Sequence, residues 1–547
     1  MNFILVLLII GFIITVIISW IYDVDPEGGI VKTEPADKVS AGLQYSSSSG
    51  WKIASYISFA IILGLLVFNF IGIRNNNKID HTLEKSIAVL PFYSYNMNPE
   101  SEDIGDAFAN EIITQLYKIK GFDRIISHTS TLKYKGVNKP SIPAIGEELN
   151  ASYIIEGSLE LQNEDVSIQI QIIHAASDDH IWAEEFKGKW EDIFSIRESI
   201  TKAVADALEI KLSLNENEIL SITPTKNLEA WDAYAKGRIF WNKRTEEDLL
   251  LSLDYFNKAA RLDPQYAQAW AGIADSYAML ASYNYISCAE GYSMAKDAAE
   301  KALELNQNLV EPYATLGYIY TFYDYNWKES QNAFETAFRY EPSYATAHSW
   351  YAWTLTVQGR FSEAREHILI ARNLDPLSNI ILASDGWIST ISGSHDRARH
   401  LLSSAIELNP KFPRYHLWLG YDYWVNEQYD SATYFLENAV NLSKRHPQYL
   451  ANLGFLYGIS KQPQKASEIN NEISAISRDR YISDYDQGIL LLGIGQIDLA
   501  LENFNNALQA KDMWIPFLAV DQRFNYLRHN PDFVNILKKT GLREMAQ

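Results

Sequence analysis

Cysteine and positive charge are both scarce in this sequence. The 547 residues include one cysteine, Cys288, which permits no intramolecular disulfide and gives no metal-ligand spacing. Lys and Arg together number 47 against 68 Asp and Glu, and the formal net charge is -21. Nucleic-acid binding depends on clustered Lys and Arg side chains that neutralise phosphates, so we expect neither DNA nor RNA as a partner.

Motifs for catalysis and cofactor binding are also lacking. The sequence contains no phosphate loop of the GxxxxGK[ST] kind, no HExxH, no paired CxxC and no GxSxG. Asp178-Asp179-His180 is interpreted as a turn between strands, where Asp side chains bond to the local backbone, rather than as a metal or acid/base site. We therefore expect no enzyme activity, no cofactor and no metal site.

Two apolar runs carry no charge. Residues 3–21 and 53–73 each have about the 20 residues needed to cross a hydrocarbon core of about 30 Å. They predict transmembrane helices at 1–22 and 53–73, joined by a loop or linker at 23–52. The alternative for the first run is a cleaved signal peptide, and for the second a buried soluble helix. Positive charges flank the second run on both sides, so their count does not fix an orientation.

Residues 84–213 alternate short apolar runs with amphipathic stretches. Strands are predicted near 86–92, 123–127, 153–161, 166–174 and 180–186, and helices near 103–117, 143–149 and 192–212. Within the fourth strand, Val166, Ile168, Ile170 and Ile172 alternate with other residues, which predicts one buried face. The expected fold of this region is a compact α/β domain with a mixed sheet.

Residues 228–544 repeat themselves. Between Tyr344 and Pro410, positions for small, large apolar and proline residues recur 34 residues later, as at Ala364 and Ala398. This period is typical of paired-helix tetratricopeptide repeats, in which each unit buries its apolar face against its neighbours. We expect an all-α superhelix of about eight repeats, with a nine-residue insertion around 283–289 and a cap at 532–542.

Several stretches resemble a known bacterial family. Residues 86–92, 153–158 and 179–184 resemble the TolB-like amino-terminal domain of cell-envelope and signalling proteins, and residues 20–28 look like the end of a membrane helix in such proteins. In that family the domain lies between a membrane segment and tetratricopeptide repeats, behind a cyclase or winged-helix output domain. The resemblance implies a bacterial inner-membrane protein with most of its chain in the periplasm, and a sensing or assembly role without a reaction.

One row of aromatic residues indicates a binding surface. In a two-helix repeat the first helix lines the inside of the curve, and the residue after the small contact position points into the groove. In the middle repeats this position is aromatic: Tyr318, Trp353, Trp387, Tyr421 and Phe455. Aromatic side chains often carry interface energy, so these five residues predict a groove for a protein or peptide. The alternative is that the rings pack between adjacent repeats.

The function expected from these features is a membrane-tethered scaffold or adaptor for protein-protein interaction in the cell envelope. The alternative is a ligand-sensing component of a signalling system. No output domain is recognised in the 547 residues, so in that case the output would be encoded separately.

Overall fold

The computed structural model describes residues 22–24, 30–32, 85–95, 104–136, 138–478 and 481–542. The chain forms two units, residues 1–78 and 79–547. In the first unit, β1 (Tyr22–Val24) and β2 (Ile30–Lys32) pair as antiparallel strands. The intervening stretch contains Pro and two Gly residues, a composition that favours a turn between strands.

The predicted fold class is wrong in its membrane part. No helix among the described residues is both long enough and apolar enough to span a bilayer. The predicted spans at 1–22 and 53–73 lie outside the described residues except at Tyr22, which begins β1 instead of ending a helix. The predicted loop at 23–52 contains strand residues, because the β-branched residues of β1 and β2 favour extended backbone. The architecture is a mixed sheet followed by an all-helical superhelix, and the predicted localisation stays a prediction.

The strands of the second unit form one mixed sheet. They are β3 (Ser86–Val89), β4 (Tyr93–Tyr95), β5 (Arg124–Ile125), β6 (Tyr153–Gln162), β7 (Asp165–His174) and β8 (Asp179–Lys189). The order across the sheet is β5-β3-β6-β7-β8, and β4 pairs with β6 beyond the end of β3. β3 is parallel to β5 and β6, whereas β6, β7 and β8 are joined as antiparallel hairpins.

Helices cover both faces of this sheet. They are α1 (Ile104–Leu116), α2 (His128–Thr131), α3 (Ile142–Leu149), α4 (Ile193–Ala207) and α5 (Leu214–Leu220). The alternating apolar residues of β7 share one core with α1 and α4, and α3 packs on the opposite face. The helix predicted at 192–212 ends at Ala207, where the chain turns through Glu209 at a φ of 55°. A capping box of Ser213 and Glu216 then starts α5 separately.

Sixteen helices follow among the described residues and form eight pairs. The pairs are α6 (Leu228–Trp241) with α7 (Glu246–Leu262), α8 (Ala267–Ser282) with α9 (Cys288–Leu305), α10 (Val310–Phe322) with α11 (Trp327–Tyr340), α12 (Ala345–Val357) with α13 (Phe361–Leu374), α14 (Asn379–Ile391) with α15 (His395–Leu408), α16 (Pro413–Val425) with α17 (Tyr429–Leu442), α18 (Pro447–Ile459) with α19 (Pro463–Ile476), and α20 (Asp484–Gly493) with α21 (Ile497–Gln509).

The sequence sets how closely the helices of a pair approach. At Gly317 in α10, an added Cβ would lie 2.8 Å from the ring of Phe334 in α11, so a larger residue would force the two helices apart. In the second pair, α8 has 16 residues and α9 has 18, against 13 in α12 and 14 in α13. The inserted residues therefore lengthen both helices of that pair as well as the turn between them.

The turn of the second pair closes the superhelix on itself. Asn284 Nδ2 donates to Asp486 Oδ2 of the eighth pair at 3.0 Å, and the Tyr285 ring lies 5.8 Å from the His446 ring next to the seventh pair. In the sixth pair, Arg414 Nη2 donates to the carbonyl oxygen of Ser282 at 3.3 Å. The second pair is thus held by pairs that are far away in sequence.

Residues 512–542, called here the carboxyl-terminal segment, do not continue the array. They form two 3-10 helices, Ile515–Ala519 and Gln522–Leu527, and α22 (Pro531–Thr540). Trp327 Nε1 at the start of α11 donates to the carbonyl oxygen of Thr540 at 2.8 Å. The segment therefore contacts the third pair as well as the end of the array.

Candidate functional site

The five aromatic residues predicted to line a groove are all buried. They are 3 to 6 % exposed: Tyr318, Trp353, Trp387, Tyr421 and Phe455. The carboxyl-terminal segment lies against most of them. The ring centroid of Phe517 is 5.7 Å from that of Trp353 and 6.1 Å from that of Trp387.

Polar contacts fix the same segment in the interior. Tyr421 Oη donates to Asp521 Oδ1 at 2.7 Å, and Asp521 also pairs with Arg523 at 2.6 Å. The guanidinium carbon of Arg523 lies 5.1 Å from the centroid of the Tyr421 ring and 5.9 Å from that of Phe455. Tyr318 differs, because its hydroxyl bonds to Ser282 Oγ at 2.9 Å.

The rings therefore form a core shared between the repeats and the chain's own carboxyl-terminal segment. Neither an open groove nor packing between adjacent repeats alone describes them. The partner-binding role of the five residues stays a prediction, and it requires the segment to leave the interior.

A buried carboxyl group in this interior predicts a pH dependence of stability. Burial, with a further contribution from the charge of Asp512, raises the pKa of Asp486 to about 8. In the unfolded chain an Asp titrates near pH 4, so between about pH 4 and 8 the folded protein keeps a proton that the unfolded chain has lost. The stability that comes from this group is present below about pH 4 and is lost as the pH rises to about 8.

Asp486→Asn keeps the shape of the side chain and removes this titration. We expect the variant to melt a few degrees above the parent at pH 8 and close to it at pH 5, because only the parent must bury a charge at high pH. Thermal unfolding across this pH range checks it, with the exposed Asp498→Asn as control. If the melting temperatures of Asp486→Asn and the parent changed in parallel with pH, Asp486 would not be the cause of the pH dependence.

The α/β domain is attached to the array at two places. Ser130 Oγ donates to Asp375 Oδ1 at 2.5 Å and accepts from the backbone N–H of Leu377 at 2.9 Å. On the first helix of the array, Trp231 packs into the core of the domain, 6.1 Å from the Phe194 ring. Because these contacts are buried, the domain and the array meet in a fixed arrangement.

An open cleft of about 620 Å³ remains where the two parts meet. The α/β domain contributes residues of α1 and α2, and the array contributes residues from five of its pairs. Its aromatic lining includes Trp241, Tyr344, Trp350, Phe412 and Tyr415. This volume is in the range of ligand pockets in proteins.

Polar atoms in this cleft are buried without a hydrogen-bond partner among the described residues. They include Nε and Nη1 of Arg244, Nε1 of Trp241, Oη of Tyr344 and Oε2 of Glu311. Buried polar groups are normally paired, so a cluster of unpaired ones marks a place where a ligand can supply the missing bonds. Sequence reasoning missed this cleft, because its residues come from separate turns with no periodic signal.

Comparisons with known families divide the chain in the same way as the structure. Residues 83–203 match the family described as HilA/YgeH-like transcriptional regulator, second domain. Residues 325–379 and 392–448 match the tetratricopeptide repeat. The TolB-like resemblance of the α/β domain stays a prediction, since the matching family is a different one.

Curated relatives match over part of their length. "Putative adenylate cyclase 3" of Rhizobium meliloti is 30 % identical over 189 residues, which are 35 % of this chain and 32 % of the relative. The transcriptional regulator HilA of Salmonella typhimurium is 22 % identical over 230 residues, which are 42 % of this chain and 41 % of the relative. The chain thus spans between a third and two fifths of these proteins.

Solved structures show similar helical arrays at low identity. The human IFIT1 dimer with m7Gppp-AAAA is 14 % identical with a TM-score of 0.42, covering 62 % of this chain and 77 % of the other. Yeast Tom70 is also 14 % identical, with a TM-score of 0.36, covering 65 % and 82 %. The helical part of this chain contains tetratricopeptide repeats, a fold that serves as a protein-binding module and is typically not catalytic.

Proposed function

We propose that this chain is an adaptor that binds a partner protein in the cleft between its α/β domain and its repeat array. The observation that carries this proposal is the cleft itself, with aromatic rings in its lining and contributions from both parts. Buried aromatic residues surrounded by polar ones are the usual anchors of protein interfaces. The interior of the array is a weaker candidate, because a partner would first have to displace the carboxyl-terminal segment.

The cost of that displacement decides between the two surfaces. Five large apolar side chains in the two 3-10 helices of the segment are at most 3 % exposed: Ile515, Phe517, Leu518, Phe524 and Leu527. Exposing them would cost about 8 to 15 kcal/mol at about 1.5 to 3 kcal/mol each. A partner would have to recover this entire free energy before it gained any affinity, whereas the cleft is already open.

The adaptor proposal predicts that the cleft can be blocked. Thr346 lies at its wall and is half-buried, so Thr346→Trp places an indole in the space a partner would occupy. Ser362→Trp on α13 adds the same ring to an exposed position and serves as the control. A photo-reactive residue at position 346 first identifies the partner in cells by cross-linking. We then expect Thr346→Trp to weaken the binding of that partner at least about fivefold, which is equivalent to about 1 kcal/mol of binding free energy.

The control variant should capture the partner like the parent, because residue 362 is exposed and does not line the cleft. Equal cross-linking from positions 346 and 362, or full capture by Thr346→Trp, would contradict the proposal and assign binding to another surface.

A second candidate is a signalling component that senses a ligand in the same cleft. The unpaired buried groups favour it, since they fit a small polar ligand as well as a protein segment. It is also supported by the names of two relatives, a cyclase and a transcriptional regulator, which fit a shared module joined to different outputs. The two candidates differ in what binds, so purified protein alone can test the second one.

A further inference from the structure

Arg244 is a buried cation in the cleft with no carboxylate against it. It lies in the turn between α6 and α7 and is 4 % exposed. Its guanidinium stacks on the Trp241 indole, with the Cζ atom 3.3 Å from the ring centroid. Nε and Nη1 have no hydrogen-bond partner among the described residues. Although burial lowers the pKa of Arg244 to about 10, the group is charged at neutral pH.

The other arginine of this region shows what Arg244 is missing. Arg238, six residues earlier and within α6, places Nη1 2.8 Å from Asp275 Oδ2. Asp275 also accepts from Thr315 Oγ1 at 2.6 Å, and it acts on Arg244 only through the coulombic interaction of their charges, without a salt bridge. A buried guanidinium with no hydrogen-bonded carboxylate is unfavourable, and an anionic ligand would reduce that penalty.

Acidic groups in the cleft do not supply the counterion. Asp375 bonds to Ser130, and Asp248 bonds to Thr245 at 2.5 Å and pairs with Lys243 at 3.3 Å. Burial raises the pKa values of Glu311 and Glu341. None of these acidic groups forms an ion pair with Arg244 among the described residues, and one carboxylate can match the single positive charge of its guanidinium.

Donors and rings next to Arg244 define the rest of the site. Trp241 Nε1 and Tyr344 Oη line the same cleft and have no partners of their own among the described residues. The Trp350 ring lies 6.5 Å from that of Trp241, and Phe412 and Tyr415 complete an apolar wall. A ligand that fits has an acidic end and an aromatic or apolar body.

We propose that Arg244 anchors the carboxylate of a small aromatic or apolar carboxylic acid in the cleft. This inference rests on the second candidate function and names the class of ligand that it would sense. Two parallel N–H···O bonds from the guanidinium hold the carboxylate, and the rings hold the body of the molecule. Such a ligand would touch both the α/β domain and the array.

The test uses the purified full chain and three probes at constant ionic strength. Benzoate has the charge and the ring, benzamide has the ring without the charge, and inorganic phosphate has charge without the ring. We expect benzoate to raise the melting temperature by about 2 °C or more at saturation and to change tryptophan emission, because Trp241 is at the site. Benzamide and phosphate should have smaller effects.

Variants separate a specific site from general attraction of anions. Arg244→Met should weaken benzoate binding at least about tenfold, and Arg244→Lys should weaken it less while losing the paired geometry. Lys258→Met removes an exposed cation of α7 that does not line the cleft, and it should leave binding unchanged. If Arg244→Met does not fold, the comparison of Arg244→Lys with Lys258→Met still decides the question.

Several results would overturn the proposal: no response to benzoate, an equal response in Arg244→Met, or a stronger response to phosphate. None of them would affect the cross-linking of a partner protein, which is measured without added ligand. The failure of this inference is therefore distinguishable from the failure of the adaptor proposal.

Discussion

Phe517→Ala is expected to destabilise the repeat array by about 3 to 5 kcal/mol. The side chain is 1 % exposed, and its ring lies among Phe322, Trp353 and Trp387. Truncation leaves a cavity that these large rings cannot fill without moving the helices that carry them. Denaturant unfolding followed by tryptophan emission measures the loss, since Trp353, Trp387 and Trp514 border the cavity.

Tyr526→Ala is the matched control for this experiment. It removes an aromatic ring from the same segment, but Tyr526 is 59 % exposed, so we expect a change within about 0.5 kcal/mol. If Phe517→Ala unfolded like the parent, the carboxyl-terminal segment would contribute little to the stability of the array. The interior would then become available to a partner, as the sequence alone suggested.

The burial of Trp353 and Trp387 predicts the effect of removing both rings. If Trp353 and Trp387 faced an open groove, replacing both by alanine would weaken partner binding and leave the melting temperature unchanged. Both are at most 6 % exposed and contact Phe517, so we expect the double replacement to lower stability instead.

Ile170→Asp is expected to unfold the α/β domain. Ile170 is 2 % exposed on β7, a central strand, and its side chain belongs to the core shared with α1 and α4. Placing a carboxylate there costs several kcal/mol, because no partner is present to replace the lost hydration. Amide hydrogen exchange should show loss of protection in the sheet, while the helical signal of the array persists.

Gln169→Asp adds the same charge one residue earlier, on an exposed position of the same strand. We expect it to leave protection in the sheet unchanged. Equal protection in Ile170→Asp and the parent would mean that the strand buries its other face. Loss of both the domain and the array would mean that the contacts of Ser130 and Trp231 couple their unfolding.

Local patterns in the sequence predicted much of this fold. The recurrence of small residues every 34 positions reflects contacts such as Gly317 against Phe334, which are made between neighbouring helices. The alternation along β7 likewise reflects one buried face of one strand. Both signals arise from residues close in sequence, where periodicity is informative.

Contacts between residues far apart in the sequence could not be predicted from such patterns. Tyr421 meets Asp521 across 100 residues, and Asn284 meets Asp486 across 202. Whether a superhelix closes depends on small rotations accumulated over every repeat, which no single repeat encodes. The cleft at Arg244 could not be predicted either, because a single arginine in a turn gives no periodic signal. The cleft forms only where the α/β domain packs against the array.

Closure by the turn of the second pair changes how this array can form and vary. In an open solenoid each repeat touches only its neighbours, so units can fold in succession and their number can change. Here Asn284 and Tyr285 reach the seventh and eighth pairs, and removing one unit between them would rotate those contacts out of register. The chain between the second and eighth pairs loses conformational entropy when its ends meet, before the contacts between those pairs can stabilise it. We therefore expect slow, cooperative folding. The number of repeats is therefore fixed by geometry, as in a ring.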